Sequence, residues 1–154
     1  MPHERSDAYR EAEEKIERAR RSGAKELFLC STGLTEVPES LGKLTALQGL
    51  SIFNNQLTTL PEALGKLTAL QTLDLQYNQL TTLPEALVKL TALQRLVLFN
   101  NRLTTLPESL GQLAALQWLD LANKISDRGG VKITRRVRLA PCRERFDGRA
   151  RTVL

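Results

Sequence analysis

LTALQGLSIFNNQLTTLPEALGK, residues 44–66, decides the fold, because nearly the same 23 residues follow as LTALQTLDLQYNQLTTLPEALVK (67–89) and LTALQRLVLFNNRLTTLPESLGQ (90–112), then begin again as LAALQWLDLANK (113–124). Asn55, Asn78 and Asn101 stand 23 positions apart, and the same step reaches back to Thr32 and forward to Lys124. A constant period of this length marks stacked structural units, each too small to bury its own apolar face.

Each unit reads LxxLxLxxNxL, met by Leu47, Leu50, Ile52, Asn55 and Leu57, by Leu70, Leu73, Leu75, Asn78 and Leu80, and by Leu93, Leu96, Leu98, Asn101 and Leu103. The alternation in LxL sends two side chains inward from a short strand and the residues between them outward. The asparagine then turns the chain, and its amide is expected to satisfy backbone groups of its own coil and the next. In the second half, Leu60, Leu64 and Leu67 point inward, with Pro61 at the start of a helical turn that carries the chain back across the convex side.

This pattern resembles the leucine-rich-repeat family, whose signature it matches in three complete units. LTTLPEALGKL looks like the second half of the typical 23-residue class. The resemblance implies an α/β repeat fold, a solenoid with short parallel strands on its concave face and an irregular or short-helical convex side. The segment 15–44, KIERARRSGAKELFLCSTGLTEVPESLGKL, also resembles the leading part of the repeat region in bacterial Roco-type signalling proteins. There the repeats precede a GTPase. No GxxxxGK[ST] phosphate loop exists in this chain, so GTP binding does not carry over.

Terminal units should depart from the consensus, since one side lacks a neighbour. At the front, Leu27, Leu29 and Leu34 keep register but Thr32 replaces the asparagine. Ahead of it, Ser6 or Asp7 caps a helix running to about Ser22, with Gly23 as its stop. Tyr9, Ala12, Ile16 and Ala19 share one face, while Glu11 with Lys15 and Glu14 with Arg18 support the other. The expected organisation is a capping helix over 1–23, a solenoid of about five coils over 24–123, and a basic, irregular tail over 124–154. At the back, Lys124 takes the asparagine position and Ser126 the next leucine position, with no further half-unit. Two readings stand open. GGVKITRRVRL can form an edge strand through Val131, Ile133, Val137 and Leu139, or the tail can be the product of a frame change or truncation near Asn123.

The net charge of +5 divides unevenly. Residues 1–123 carry 12 Lys/Arg and 14 Asp/Glu, net −2, whereas residues 124–154 carry 10 and 3, net +7. Nucleic-acid contact therefore rests on the tail alone, with its eight arginines and no recognisable RNA or DNA motif. A solvated tail accounts for the same composition. The N-terminus is polar, no segment has the length and apolarity of a membrane span, and Cys30 and Cys142 show neither CxxC spacing nor a disulfide context. These features point to the cytoplasm and away from a membrane.

Function is expected on the concave face, where the outward strand residues are Glu26, Phe28 and Cys30; Gly49, Ser51 and Phe53; Thr72, Asp74 and Gln76; Arg95, Val97 and Phe99; and Trp118, Asp120 and Ala122. Phe28, Phe53, Phe99 and Trp118, with Tyr77 near the rim and Asp74, Gln76, Arg95 and Asp120 beside them, have the composition of a protein-interaction hot spot. The plainer alternative is that some rings shield the sheet, or that Phe28 lies under the helix. The expected partner is another protein, bound by a monomer unless the last coil's edge pairs with a second copy. Asp74 and Asp120 sit two coils apart, ~10 Å, but on an open sheet without the pocket that acid–base chemistry requires. His3 has no cysteine or serine partner, and no His/Cys cluster suggests a metal, so neither catalysis nor a cofactor is expected.

Overall fold

The computed structural model describes residues 5–121. It contains one helix, α1 (Asp7–Ser22), and five three-residue strands: β1 (Glu26–Phe28), β2 (Gly49–Ser51), β3 (Thr72–Asp74), β4 (Arg95–Val97) and β5 (Trp118–Asp120). The strands form one parallel sheet in sequence order, β1-β2-β3-β4-β5, and every pairing advances by one 23-residue unit, with Leu27 beside Leu50, Leu50 beside Leu73, Leu73 beside Leu96 and Leu96 beside Leu119. The expected solenoid is therefore present through β5. Ala122 and the tail from 124, including its alternative edge strand, lie outside the described residues.

The central leucine of each strand is buried, as are Leu29, Ile52, Leu75 and Leu98 two positions later. In the unit 67–89, Leu67, Leu70, Leu73, Leu75 and Leu80 are all 0 % exposed. Each such side chain contributes roughly 1.5–3 kcal/mol when buried. Most of that burial is provided by the coils on either side, so the units stabilise one another rather than themselves.

Four 3-10 turns line the convex side: Glu39–Lys43, Glu62–Lys66, Glu85–Lys89 and Glu108–Gln112. Pro38, Pro61, Pro84 and Pro107 precede them, where a missing N–H goes unused, and bonds such as Leu64 N–H to Pro61 C=O and Leu67 N–H to Leu64 C=O close each turn. Successive turns pack almost backbone to backbone. A Cβ added at Gly65 would lie 2.9 Å from both the Cβ and the carbonyl oxygen of Ala86, and one at Gly42 would lie 3.1 Å from the same atoms of Ala63.

The asparagines bind the coils together. Asn55 Nδ2 donates to the Leu29 and Ile52 carbonyls, and its Oδ1 accepts from the N–H groups of Thr32 and Leu34 and from the Thr32 hydroxyl. Asn78 and Asn101 repeat this against Ile52, Leu57 and Leu75, and against Leu75, Leu80 and Leu98. The expected bonding to the following coil is thus corrected: each asparagine serves its own coil and the preceding one. The residue just before the asparagine position, held by Thr32 in the first coil, has positive φ in Ser31, Asn54, Tyr77 and Asn100, and that left-handed step turns the next side chain back over the coil already laid down.

Helix α1 covers the first coil. Ser6 Oγ accepts the Tyr9 N–H at 3.2 Å, as an N-cap side chain does. Gly23, at φ 64°, ends the helix with its N–H bonded to the Ala19 and Arg20 carbonyls, in the left-handed conformation that glycine adopts freely. Ala12, Ile16 and Ala19 enter the same core as the leucines, and Tyr9 packs against it. On the outer face Lys15 pairs with Glu11 at 2.8 Å. Glu17, not Glu14, is the second anchor: Arg20 and Arg21 both bond its carboxylate and hold its pKa down to about 2. No ion pair joins Glu14 to Arg18 among the described residues. No helix among these residues is long and apolar enough to cross a membrane.

Candidate functional site: the concave sheet face

The strand register arranges the outward side chains as a grid. One row holds Glu26, Gly49, Thr72, Arg95 and Trp118, and the next Phe28, Ser51, Asp74, Val97 and Asp120. By the same period the row beyond the strand ends holds Cys30, Phe53, Gln76 and Phe99, followed at the rim by the positive-φ residues Ser31, Asn54, Tyr77 and Asn100. Columns are spaced by one strand interval, ~4.8 Å, and alternate rows by two residues, ~6.6 Å.

The aromatic residues stand high on this grid. Phe28 is 41 % exposed and Tyr77 45 %, and Phe53, Phe99 and Trp118 are half-buried. Phe28 is thus not covered by α1: it points from β1 to the face opposite the core. Tyr77 and Phe99 meet edge to face with centroids 5.4 Å apart, one of the arrangements that ring quadrupoles favour. The Arg95 guanidinium lies 5.5 Å from the centre of the Trp118 ring, within cation–π reach. The rim also carries amides that sequence reasoning passed over, such as Asn54, whose Nδ2 bonds Ser31 Oγ. The doublet Asn54–Asn55, repeated at 100–101, was the signal for them.

The polar members lie lower. Asp74 is 1 % exposed, Asp120 3 % and Gln76 6 %, although the register points all three outward. In its row Asp74 lies between Ser51 of β2 and Val97 of β4. Asp74 is held in place by Gln76, whose backbone N–H bonds Oδ1 at 3.1 Å and whose Nε2 bonds Oδ2 at 2.9 Å. Burial pushes the Asp74 carboxyl above the ordinary carboxylate range, opposed by these two bonds and by Arg95, and assisted by the charge of Asp120.

A carboxyl with a raised folded pKa binds its proton more tightly in the folded state. Its stabilising contribution is complete below the unfolded value of 3.8 and is lost as pH rises through the folded value. At neutral pH the charge therefore opposes folding. Asp74→Asn keeps an acceptor for the Gln76 N–H and is expected to raise the urea midpoint at pH 7, with the gain over the parent shrinking as pH falls towards 3.8. A lower midpoint at pH 7 would contradict this account.

Cys30 behaves as a small filler. Its Sγ sits 3.3 Å from Ser51 Oγ. Burial pushes the thiol pKa up, away from a nucleophilic thiolate. Among the described residues no three His, Cys, Asp or Glu side chains gather as a metal ion requires. The grid offers apolar rings at the surface and carboxylates at the floor, an arrangement suited to recognition.

The family model of the leucine-rich repeat region matches residues 27–136, well over half of the chain. The chain belongs to the leucine-rich-repeat family. No curated protein matches it. Among solved structures, this leucine-rich-repeat chain is similar to YopM of Yersinia enterocolitica, at 29 % identity and a TM-score of 0.65 over 79 % of this chain and 25 % of that one. It is similar to a leucine-rich-repeat protein of Leptospira interrogans, at 43 % identity and a TM-score of 0.57 over 58 % of this chain and 23 % of the other. It is also similar to a chain in the BIR3–SERK2 complex of Arabidopsis thaliana, at 36 % identity and a TM-score of 0.56 over 62 % of this chain and 53 % of that one. The leucine-rich-repeat chain thus spans between about a quarter and a half of the length of these structures. Leucine-rich-repeat domains commonly serve as protein-interaction modules.

Proposed function

We propose that this leucine-rich-repeat chain binds another protein on its concave face. One observation carries the reading: the two exposed large apolar residues among those described, Phe28 and Tyr77, both lie on or at the rim of this face. Phe53, Phe99 and Trp118 extend the same patch. A large apolar side chain left in water gains nothing for the solenoid, whereas covering it by a partner stabilises the complex. Five strands span only ~19 Å, which is narrow against the ~800 Å² per partner of a standard interface. The rim residues, Asn54, Tyr77 and Asn100, therefore take part in contact.

The assembly of a protein complex in the BIR3–SERK2 structure supports this reading of a similar scaffold. In its finer form, the proposal is a monomeric signalling scaffold of the cytoplasm, consistent with the free Cys30 and the resemblance of residues 15–44 to the leading repeats of Roco-type proteins.

Pull-downs from the native cell lysate with the parent chain, Phe53→Ser and Trp118→Ser test the location. Both substitutions are expected to reduce recovery of the bound protein by about tenfold or more, the scale of a hot-spot residue. Unchanged recovery with both would move the interface off the concave face.

A further inference from the structure

The two strand rows of the concave face differ in what they present. In the first, Glu26 and Arg95 are exposed and Gly49, Thr72 and Trp118 half-buried, whereas in the second every member but Phe28 is buried. Anything lying across the strands therefore touches mainly the first row. Beside it, one residue earlier in each coil, runs a line of exposed side chains: Lys25, Gln48, Gln71, Gln94 and Gln117.

The first row carries opposite charges with small residues between them. Glu26 stands in the β1 column and Arg95 in the β4 column, separated by Gly49 and Thr72. Neither charge forms an ion pair among the described residues, and Glu26 is not bridged to the adjacent Lys25. Both side chains lean the same way along the row. Glu26 lies against Gly49, its Cγ 3.3 Å from where a Cβ would stand, and the Arg95 guanidinium lies over the Trp118 ring. The separation of the two charges thus stays close to three strand intervals, ~14.4 Å.

An extended chain rises about 3.3 Å per residue and turns alternate side chains to one face. On that face, residues two apart span ~6.6 Å, four apart ~13.2 Å and six apart ~20 Å. Only the four-residue step matches the charges of the row, and it leaves the middle side chain over Gly49 and Thr72. An extended chain also brings unbonded N–H and C=O groups, and the glutamine line offers carboxamides that both donate and accept. A helix bonds those groups within itself except at its ends.

Building on the concave-face reading, we propose that the first row takes an extended segment of the partner protein, laid across the strands, with a basic side chain on Glu26 and an acidic one, four residues away, on Arg95. The segment can run in either direction, so either charge can come first. Like charges at both places would set one of them against its own sign.

Isotope-labelled full-length chain is titrated at low ionic strength with acetyl-Gly-Lys-Thr-Val-Thr-Glu-Gly-amide. Three controls accompany it: glutamate at both charged places, lysine at both, and the same composition with the charges adjacent, acetyl-Gly-Thr-Lys-Glu-Val-Thr-Gly-amide. The first peptide is expected to move the amide resonances of Glu26, Gly49, Thr72 and Arg95 and to bind at least about threefold more tightly than each control. Glu26→Lys is expected to transfer the preference to the peptide with two glutamates, and Arg95→Glu to the one with two lysines, which loss of structure would not produce. Should one variant lose its amide dispersion, the other variant and the ranking on the parent chain decide. Equal binding of the four peptides, movement centred on other residues, no movement up to about 20 mM peptide, or an unchanged preference in a folded variant overturns the proposal. Loss of partner recovery by Phe53→Ser and Trp118→Ser, together with equal binding of the four peptides, would uphold the concave face and remove this charge register.

Discussion

Asn55→Ala is expected to destabilise the fold by on the order of 3 kcal/mol, more than either Asn78→Ala or Asn101→Ala. Counting what each amide serves gives the order. Without Asn55, the Leu29 carbonyl and the Leu34 and Thr32 N–H groups lose their partner together, and Leu34 is 0 % exposed. Removing Asn78 strands only the Leu57 N–H, because the Ile52 carbonyl keeps Asn55 and the Leu75 carbonyl keeps Asn101. Two of the carbonyls along the ladder are thus bonded twice, and the first coil, where Thr32 replaces asparagine, is bonded once. Urea unfolding of the three single variants checks the ranking. Equal losses would show that carbonyl sharing does not matter energetically.

Gly65→Val is expected to cost about 2–3 kcal/mol, within the range of an overpacked core site. The new Cβ would lie 2.9 Å from the backbone oxygen of Ala86, and a backbone atom cannot swing aside as a side chain can. The neighbouring 3-10 turn has to move, and with it the leucines Leu64 and Leu87 that the two turns place in the core. One unit later the chain itself carries Val88 at the equivalent position, half-buried, so the stack tolerates a wider step there. Thermal unfolding of Gly65→Val and of Val88→Gly separates the two environments: a large loss for the first and a smaller change of either sign for the second. A loss for Gly65→Val below about 0.5 kcal/mol would mean the turns are not in backbone contact.

The repeat made the solenoid legible at once, since Leu50, Ile52 and their counterparts occupy positions that only stacked coils can bury. The capping helix was equally open to reading: Ser6, Gly23 and the Ala12–Ile16–Ala19 stripe are local signals, and the structure uses each of them. Three features were not readable. The alternation of β3 says that Asp74 points outward but carries no information about the height of side chains in the next columns, so its burial was invisible. The direction of the asparagine bonds depends on the left-handed residue before each one, and Tyr77 gave no sign of that conformation because aromatic residues rarely adopt it. Phe28 was readable as outward or as covered by α1, and only the placement of the helix on the core side separates the two.

On the candidate site, the sequence supplied the residues and their register while the structure supplied the order of heights: rings above, amide and carboxylates below. Phe53 and Phe99 lie 46 positions apart in the chain, yet the period alone places them two columns apart on the sheet. What the period could not provide was the edge-to-face contact that ties Tyr77 to Phe99.

Helix α1 has a role that its packing area alone does not suggest. Units 44–66, 67–89 and 90–112 are so alike that sliding the chain along the stack by one coil would exchange nearly every leucine contact for an equivalent one. Such a stack is like a ruler with identical divisions, and nothing inside it marks the zero. Ile16, with Ala12 and Ala19, packs against the first coil, to which Gly23 joins the helix directly. The helix therefore supplies an origin, and counting from it gives each aromatic ring its fixed column on the sheet.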